Sequence, residues 1–137
     1  MVIVKASRKT EAGVLPSQEI LEKMGKFNEE LVKAGVMLAG EGLQSSSKGA
    51  RVKFNGSQRT VTDGPFAETK ELIAGFWMWK VKSREEAIEW LKRAPFDDGA
   101  EVEIRQVFET EHFAPSDPTG EIRAAEDRLR AQVEAKK

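Results

Sequence analysis

The chain has 137 residues, of which 39% are hydrophobic and 33% charged, a composition that fits one compact soluble domain. Its 22 Lys and Arg residues nearly balance its 23 Asp and Glu residues, which argues against direct binding to nucleic acid or to an anionic membrane. The absence of cysteine excludes disulfides, thiolate nucleophiles and zinc–thiolate sites.

The amino-terminal residues do not resemble a targeting segment. Residues 1–9 carry too short an apolar run before their charges for a signal peptide. No segment approaches the roughly 20 consecutive apolar residues of a membrane-spanning helix. We therefore expect a cytoplasmic protein without membrane association.

The first third of the sequence predicts a strand, a helix and a second strand. Residues 2–7 are short, β-branched and apolar, which is typical of a buried strand. Ser17 is a candidate N-cap for a helix that ends at Gly35. Residues 36–43 predict the second strand, in which two glycines flank Glu41. The apolar stripe of the helix consists of Ile20, Met24, Phe27 and Leu31.

The middle of the sequence predicts a hairpin followed by a long strand. Asn55 and Gly56 lie between two alternating runs in residues 51–62, and the Asn-Gly pair fits a type I′ turn. The hairpin leads into the motif DGPFAETKE, residues 63–71. Residues 72–82, LIAGFWMWKVK, then predict a strand that is apolar on both faces.

This two-faced strand carries a prediction about assembly. Two amphipathic helices suit one face of a small antiparallel sheet, so the other face needs a second layer. We expect Trp77 and Trp79 to lie on that other face and the sheet of a second copy to cover it, giving a homodimer.

The remaining sequence completes the pattern. Ser83 and Glu86 form a capping-box pattern that opens a second helix, which Pro95 ends. Residues 101–108 alternate as a last strand, residues 112–120 form a connector with His112 at the surface, and residues 121–135 predict a charged helix. The order predicts an α+β fold, a ferredoxin-like split βαβ antiparallel sheet with an inserted β-hairpin.

Three segments together carry a family resemblance: AGVMLAGEGLQ at residues 34–44, DGPFAETKELIAGF at 63–76 and EIRQVFE at 103–109. They resemble the DGPF subgroup of the YCII-related family. The resemblance divides the chain into a domain at residues 1–113 and a connector with a C-terminal helix at 114–137. It implies a dimeric α/β barrel, a bacterial source and an activity that is mostly unassigned. Such relatives are often encoded beside extracytoplasmic-function sigma factors.

The resemblance also limits the mechanism. In better-studied family members a His near the first helix and an Asp are proposed active-site partners, but this chain has no His before His112. A His-dependent mechanism therefore does not carry over. Only the Asp63 motif and residues 40–42 match the family pattern.

Two carboxylates are candidate catalytic residues, Asp63 and Glu41. Each lies at the end of an apolar strand, where partial desolvation favours general acid or base chemistry. Asp63 has an alternative role as the backbone-capping residue of an Asx-turn. The candidate substrate-binding residues are Lys5, Arg8, Phe66, Glu68, Lys70, Trp77 and Trp79. The aromatic members have the alternative of a core or dimer-interface position, and the cations would hold an anionic substrate.

The function hypotheses come from three classes. The first is a small-molecule enzyme that works without a cofactor, by analogy with other dimeric barrels. The second is a ligand-binding or regulatory module linked to sigma-factor transcription, and the third is a structural dimer without catalysis. The sequence contains no pattern for a metal site, a phosphate-binding loop or a dinucleotide cofactor.

Overall fold

The computed structural model describes all residues from 1 to 137 and divides into two compact units, Met1–Arg105 and Gln106–Lys137. The strands of the larger unit are β1 (Val2–Lys5), β2 (Met37–Gly42), β3 (Ala50–Asn55), β4 (Gln58–Asp63), β5 (Ile73–Trp79) and β6 (Val102–Ile104). Its helices are α1 (Arg8–Glu11), α2 (Gln18–Lys33) and α3 (Arg84–Lys92).

Four strands form one antiparallel sheet in the order β2-β5-β1-β6. Helix α2 connects β1 to β2, and α3 connects β5 to β6. Strands β3 and β4 pair only with each other and form the inserted hairpin. The α+β class and the antiparallel sheet are therefore confirmed, and the strand order is compatible with a ferredoxin-like fold.

The hydrophobic core lies between this sheet and helices α2 and α3. The ring of Trp77 on β5 packs edge-on against Phe27 of α2 at a centroid distance of 6.0 Å. Trp79 lies 6.3 Å from the same Phe27 ring. The tryptophan face of β5 is therefore the face that meets the helices. The buried centre of the core consists of Val2, Phe27, Leu31, Val36 and Trp77.

This arrangement reverses the predicted faces of β5. We predicted that Trp77 and Trp79 would face a second copy of the sheet, but Trp77 is 6% exposed beneath α2. Phe76 and Met78 lie on the opposite face and are half-buried. The indole rings are large enough to fill the space below α2, whereas alternation alone does not tell which of two apolar faces meets the helices.

A hydrogen bond between helix and sheet satisfies the buried indole. Trp77 Nε1 donates to the side-chain oxygen of Asn28 on α2 at 3.0 Å. A buried indole N–H needs such an acceptor, since leaving it unpaired costs free energy. Asn28 therefore orients Trp77 as well as pairing with it.

Both predicted helix starts are confirmed by their caps. The Ser17 hydroxyl accepts the N–H of Ile20 at 3.2 Å, and the Ser83 hydroxyl accepts the N–H of Glu86 at 3.1 Å. In a capping box the Glu86 carboxylate would accept the backbone N–H of the N-cap residue, Ser83. Here it accepts the N–H of the preceding residue, Lys82, at 2.7 Å.

The hairpin forms where predicted, but its turn differs. Asn55 pairs with Gln58, so Gly56 and Ser57 are the central turn residues. Gly56 has a φ of 59°, and no residue other than glycine has a positive φ. This geometry fits a type II′ turn and not the predicted type I′ turn, which needs a positive φ at both central positions. Every residue of β3 and β4 is exposed.

Two further elements differ from the sequence expectation. Residues 8–11, between the predicted first strand and the predicted helix at Ser17, form the single-turn helix α1, which is capped by the Ser7 hydroxyl and was not predicted. The last strand ends at Ile104 and not at residue 108 as predicted, and Phe108 is 66% exposed. Strand β6 pairs with β1 at three positions, from Val2 opposite Ile104 to Val4 opposite Val102.

The smaller unit contains a 3-10 turn at Thr110–Ser116 and helix α4 (Glu121–Ala135), which matches the predicted C-terminal helix. The buried carboxylate of Asp117 accepts the backbone N–H of Arg123 at 2.9 Å. This bond, with those from the Arg123 side chain and from the Ile122 backbone, holds the pKa of Asp117 below its ordinary value.

The surface of the smaller unit carries the predicted His112. Its Nδ1 accepts the N–H of Glu109 at 2.8 Å, and the residue is exposed as predicted. The apolar stripe of α4 is also exposed, at Ile122, Leu129 and Val133. No helix anywhere in the chain combines the length and the apolar character required to cross a bilayer.

Replacing Asn28 by Ala tests the helix-to-sheet hydrogen bond. The change leaves the indole N–H of Trp77 buried without an acceptor, so we expect the free energy of unfolding to fall by about 1–3 kcal/mol. Chemical denaturation followed by tryptophan fluorescence measures the difference. Glu29→Ala, an exposed neighbour on the same helix, is the control and should change stability far less.

Candidate functional site

The motif loop, residues 64–72, runs from the end of β4 to the start of β5 and is held from below by the loop after β2. The N–H of Gly64 donates to the carbonyl of Gly49 at 3.0 Å. The peptide bond between Gly64 and Pro65 is cis. A Cβ atom at position 64 would lie 1.8 Å from the carbonyl oxygen of Ser46, so only glycine fits there.

Asp63 does not cap this loop. It is the last residue of β4, pairs with Ala50 and is exposed. An Asx-turn needs the N–H two residues later, which Pro65 lacks. The neighbouring amides also have other acceptors, because Gly64 donates to Gly49 and Phe66 donates to the Ser46 hydroxyl at 3.0 Å. The Asx-turn alternative for Asp63 is therefore wrong.

Ser46 connects the motif loop to helix α1 through Glu11. The backbone N–H of Ser46 donates to one carboxylate oxygen of Glu11 at 2.8 Å, and its hydroxyl donates to the other. These bonds hold the pKa of Glu11 below its ordinary value, because they stabilise the charged form of the carboxylate. The bond from the Ser46 hydroxyl has the larger effect and the bond from the backbone N–H the smaller one. Glu11, Ser46 and Phe66 thus form one hydrogen-bonded chain across three segments.

Beside this chain lies an open cleft of about 530 Å³. One wall is the end of β1 with the start of α1, and the other wall is the second half of the motif loop. Three of the predicted substrate-binding residues meet here, namely Arg8, Glu68 and Lys70. The complete lining is Ala6, Ser7, Arg8, Ala67, Glu68, Thr69, Lys70 and Glu71.

The lining of the cleft carries two cations, Arg8 and Lys70, and two carboxylates, Glu68 and Glu71. Arg8 and Lys70 contribute positive charges from opposite walls. Of the two acidic groups at the rim, Glu68 is paired with Arg51 at 3.6 Å, which offsets its charge. No group of three or more His, Asp or Glu side chains in the chain is placed to hold a metal ion.

Phe66 lies behind the cleft, outside its lining. The guanidinium group of Arg51 stacks over its ring at 3.8 Å, so one face of the ring is covered by a cation. Arg51 therefore connects the hairpin strand β3 both to Phe66 and to Glu68 of the motif loop.

The other predicted site residues lie elsewhere. Trp77 and Trp79 belong to the core described above. Glu41 is exposed on β2, opposite Phe76, in a different sheet from Asp63. Lys5 pairs with Glu103 of β6 at 3.5 Å and not with Glu41.

Glu41 and Lys5 border the side of the sheet that faces away from α2 and α3. We call this side the open face. The alternation of β1, β2 and β5 places it opposite the tryptophans, and none of its apolar members belongs to the core cluster. Its apolar members are Ile3, Ala39, Phe76 and Met78.

Sequence reasoning missed Glu11 and Ser46. They lie 35 positions apart and belong to no local motif. The Ser-rich run at residues 45–47 is typical of a loop, but nothing in it indicates which serine contacts the motif. A long-range hydrogen bond of this kind becomes visible only in three dimensions.

Comparison with known proteins assigns a family. Residues 1–111 match the YCII-related domain. The chain belongs to the YCII-related family. Among relatives of this YCII-related protein, the uncharacterised protein R00369 of Rhizobium meliloti (strain 1021) is 27% identical over 75 residues. That match covers 55% of the present chain and 60% of the relative, so the chain spans less than two thirds of the relative's length. The relative's name assigns no activity.

Replacing Gly64 by Ala tests the close approach of Ser46. The added methyl group would overlap the backbone carbonyl of Ser46, so we expect the motif loop to shift. The loss should be about 2 kcal/mol or more in unfolding free energy, as for other strained or overpacked positions. Gly42→Ala, where an added Cβ meets nothing within 4 Å, should leave thermal unfolding nearly unchanged.

The Glu11 carboxylate predicts a pH dependence of stability. Because its pKa is lower in the folded state, its contribution is present above its ordinary pKa and is lost as the pH falls through the folded value. Glu11→Gln should therefore flatten the decrease of the melting temperature between about pH 6 and pH 3. Glu29→Gln, at an exposed position, should keep the wild-type slope.

Proposed function

We propose that this YCII-related protein binds a small anionic molecule in the cleft between Arg8 and Lys70. The observation that carries the proposal is the meeting of these two cations on opposite walls of an open cleft of about 530 Å³. Cavities of a few hundred cubic ångströms with a few convergent polar groups suit small ligands. A carboxylate or phosphate group fits the charge of these walls.

Two walls contribute different kinds of contact. Arg8 offers a planar fork of donors that matches a carboxylate or phosphate in two places, whereas Lys70 acts as a single mobile charge. Ser7 and Thr69 add hydroxyl groups at the same rim. The Ser7 hydroxyl already accepts the N–H of Thr10 at 3.2 Å, which leaves Thr69 as the more adaptable partner.

We further propose that the protein is a homodimer of ferredoxin-like subunits, joined through the open face as a dimeric α/β barrel. Phe76 and Met78 in the centre of a four-stranded sheet form an apolar surface on the side that faces away from α2 and α3. The same face of a second copy has matching shape and chemistry. The motif at residues 63–71 supports placing the chain in the DGPF subgroup.

A second candidate function is catalysis without a cofactor, with Glu41 as acid or base. Glu41 lies beside Phe76 on the open face, so dimer formation would remove water from its surroundings. A desolvated carboxylate beside an enclosed cavity is suited to proton transfer. Turnover that Glu41→Gln abolishes in a folded protein would separate catalysis from binding alone.

The anion site is tested by titrating the protein with inorganic phosphate and following backbone amide signals by NMR. We expect the amides of Thr69 and Lys70 to shift, and Arg8→Gln to weaken the apparent affinity about fivefold to tenfold because a charged contact is lost. Lys9→Gln removes the same charge one residue away, outside the cleft, and is the matched control. If both variants weakened phosphate binding equally, the binding would depend on the overall charge of the protein and not on this cleft, and the proposal would be wrong.

The dimer is tested by light scattering during gel filtration. We expect a particle of about 31 kDa, twice the chain mass of 15.3 kDa. Ala39→Arg adds a charge at an exposed position of the open face, so it should yield monomer without unfolding the chain. Val32→Arg, at an exposed position of α2, should remain dimeric. A monomeric wild-type protein would contradict the interface.

A further inference from the structure

We infer that Glu11 and Ser46 are positioning residues that hold the two walls of the Arg8 cleft together and thereby set its affinity for an anion. The inference rests on the proposed ligand site. Glu11 ends helix α1, whose first residue is Arg8. Phe66 directly precedes the opposite wall, which begins at Ala67. Ser46 hydrogen-bonds to both Glu11 and Phe66.

We call the hydrogen bonds that join Glu11, Ser46 and Phe66 the clasp. The donor and the acceptor of each of these bonds are fixed by the chemistry of the groups. A serine hydroxyl has one proton to donate and lone pairs with which to accept. The Ser46 hydroxyl donates to Glu11 and accepts the N–H of Phe66 at 3.0 Å. The second Glu11 oxygen accepts the Ser46 N–H at 2.8 Å, so both carboxylate oxygens are used. Position 11 therefore needs a carboxylate, which accepts with both oxygens, and an amide does not fit there. Position 46 needs a hydroxyl, and a methyl group does not replace it.

Apolar packing does little to hold these walls. Helix α1 has four residues and none of them is buried. The 3-10 turn at Thr69–Glu71 in the opposite wall also has no buried residue. A single helical turn is unstable by itself in water. The backbone hydrogen bond from Ala6 to Leu72 joins the bases of the two walls, and the polar clasp holds the parts that carry Arg8 and Lys70 beyond that point.

A serine series tests this inference with inorganic phosphate as the probe. Ser46→Ala removes the hydroxyl that joins the walls, and we expect phosphate affinity, measured from the amide shifts of Thr69 and Lys70, to fall about fivefold to tenfold. Ser46→Thr keeps the hydroxyl and should restore affinity to within about twofold. Ser47→Ala, in the same turn but without a bond to the clasp, should bind as the wild type does.

Amide hydrogen exchange separates the clasp from the ligand site. In Ser46→Ala we expect faster exchange at Phe66 and in residues 67–71, with unchanged protection at Trp77 in the core. Unaltered exchange at Phe66, or wild-type phosphate affinity in a folded Ser46→Ala protein, would overturn the inference. If the wild type does not bind phosphate but exchange responds as expected, the anion proposal fails while the clasp stands. Glu11→Gln gives the same readouts should Ser46→Ala not fold.

Discussion

Strand β5 is hydrogen-bonded on both edges and apolar on both faces, and the rest of the structure is arranged around that constraint. Its neighbours β1 and β2 satisfy the backbone, while α2 covers the tryptophan side through Phe27 and Asn28. The acceptor from Asn28 matters because an indole is both large and polar, so a purely apolar helix face would bury it at a cost. The opposite side carries Phe76 and Met78, which belong to no part of the core that α2 and α3 form with the sheet.

Much of this fold could be predicted because its signals are local. The caps at Ser17 and Ser83 act within four residues, and the helix and strand periods are visible in short windows. The side of β5 that meets the helices could not be predicted, since both sides are apolar and the choice depends on how Trp77 fits beneath α2. The turn type could not be predicted either, because glycine adopts a positive φ at the first or at the second central position of a two-residue turn.

The candidate site was predictable only where sheet topology brings its residues together. Arg8 follows β1 and Lys70 precedes β5, and these strands run antiparallel, so the end of one lies beside the start of the other. The hydrogen bond from Ala6 N to the carbonyl of Leu72, at 2.8 Å, marks this junction. Asp63 and Glu41 gave no comparable constraint, because the hairpin and the main sheet are separate. Glu11 and Ser46 meet through loop geometry, which leaves no periodic trace in a sequence.

The exposed hairpin β3–β4 has a consequence for where this chain tolerates substitution. Its two strands pack on no third strand and contribute nothing to the core cluster, so changes of length or side chain at the tip around Gly56 leave the sheet intact. The base of the hairpin has no such freedom, because Gly64 and Gly49 are joined there and Arg51 reaches the motif loop. One short arm thus combines a tip that tolerates substitution with a base in which a change would disturb the motif loop beside the cleft.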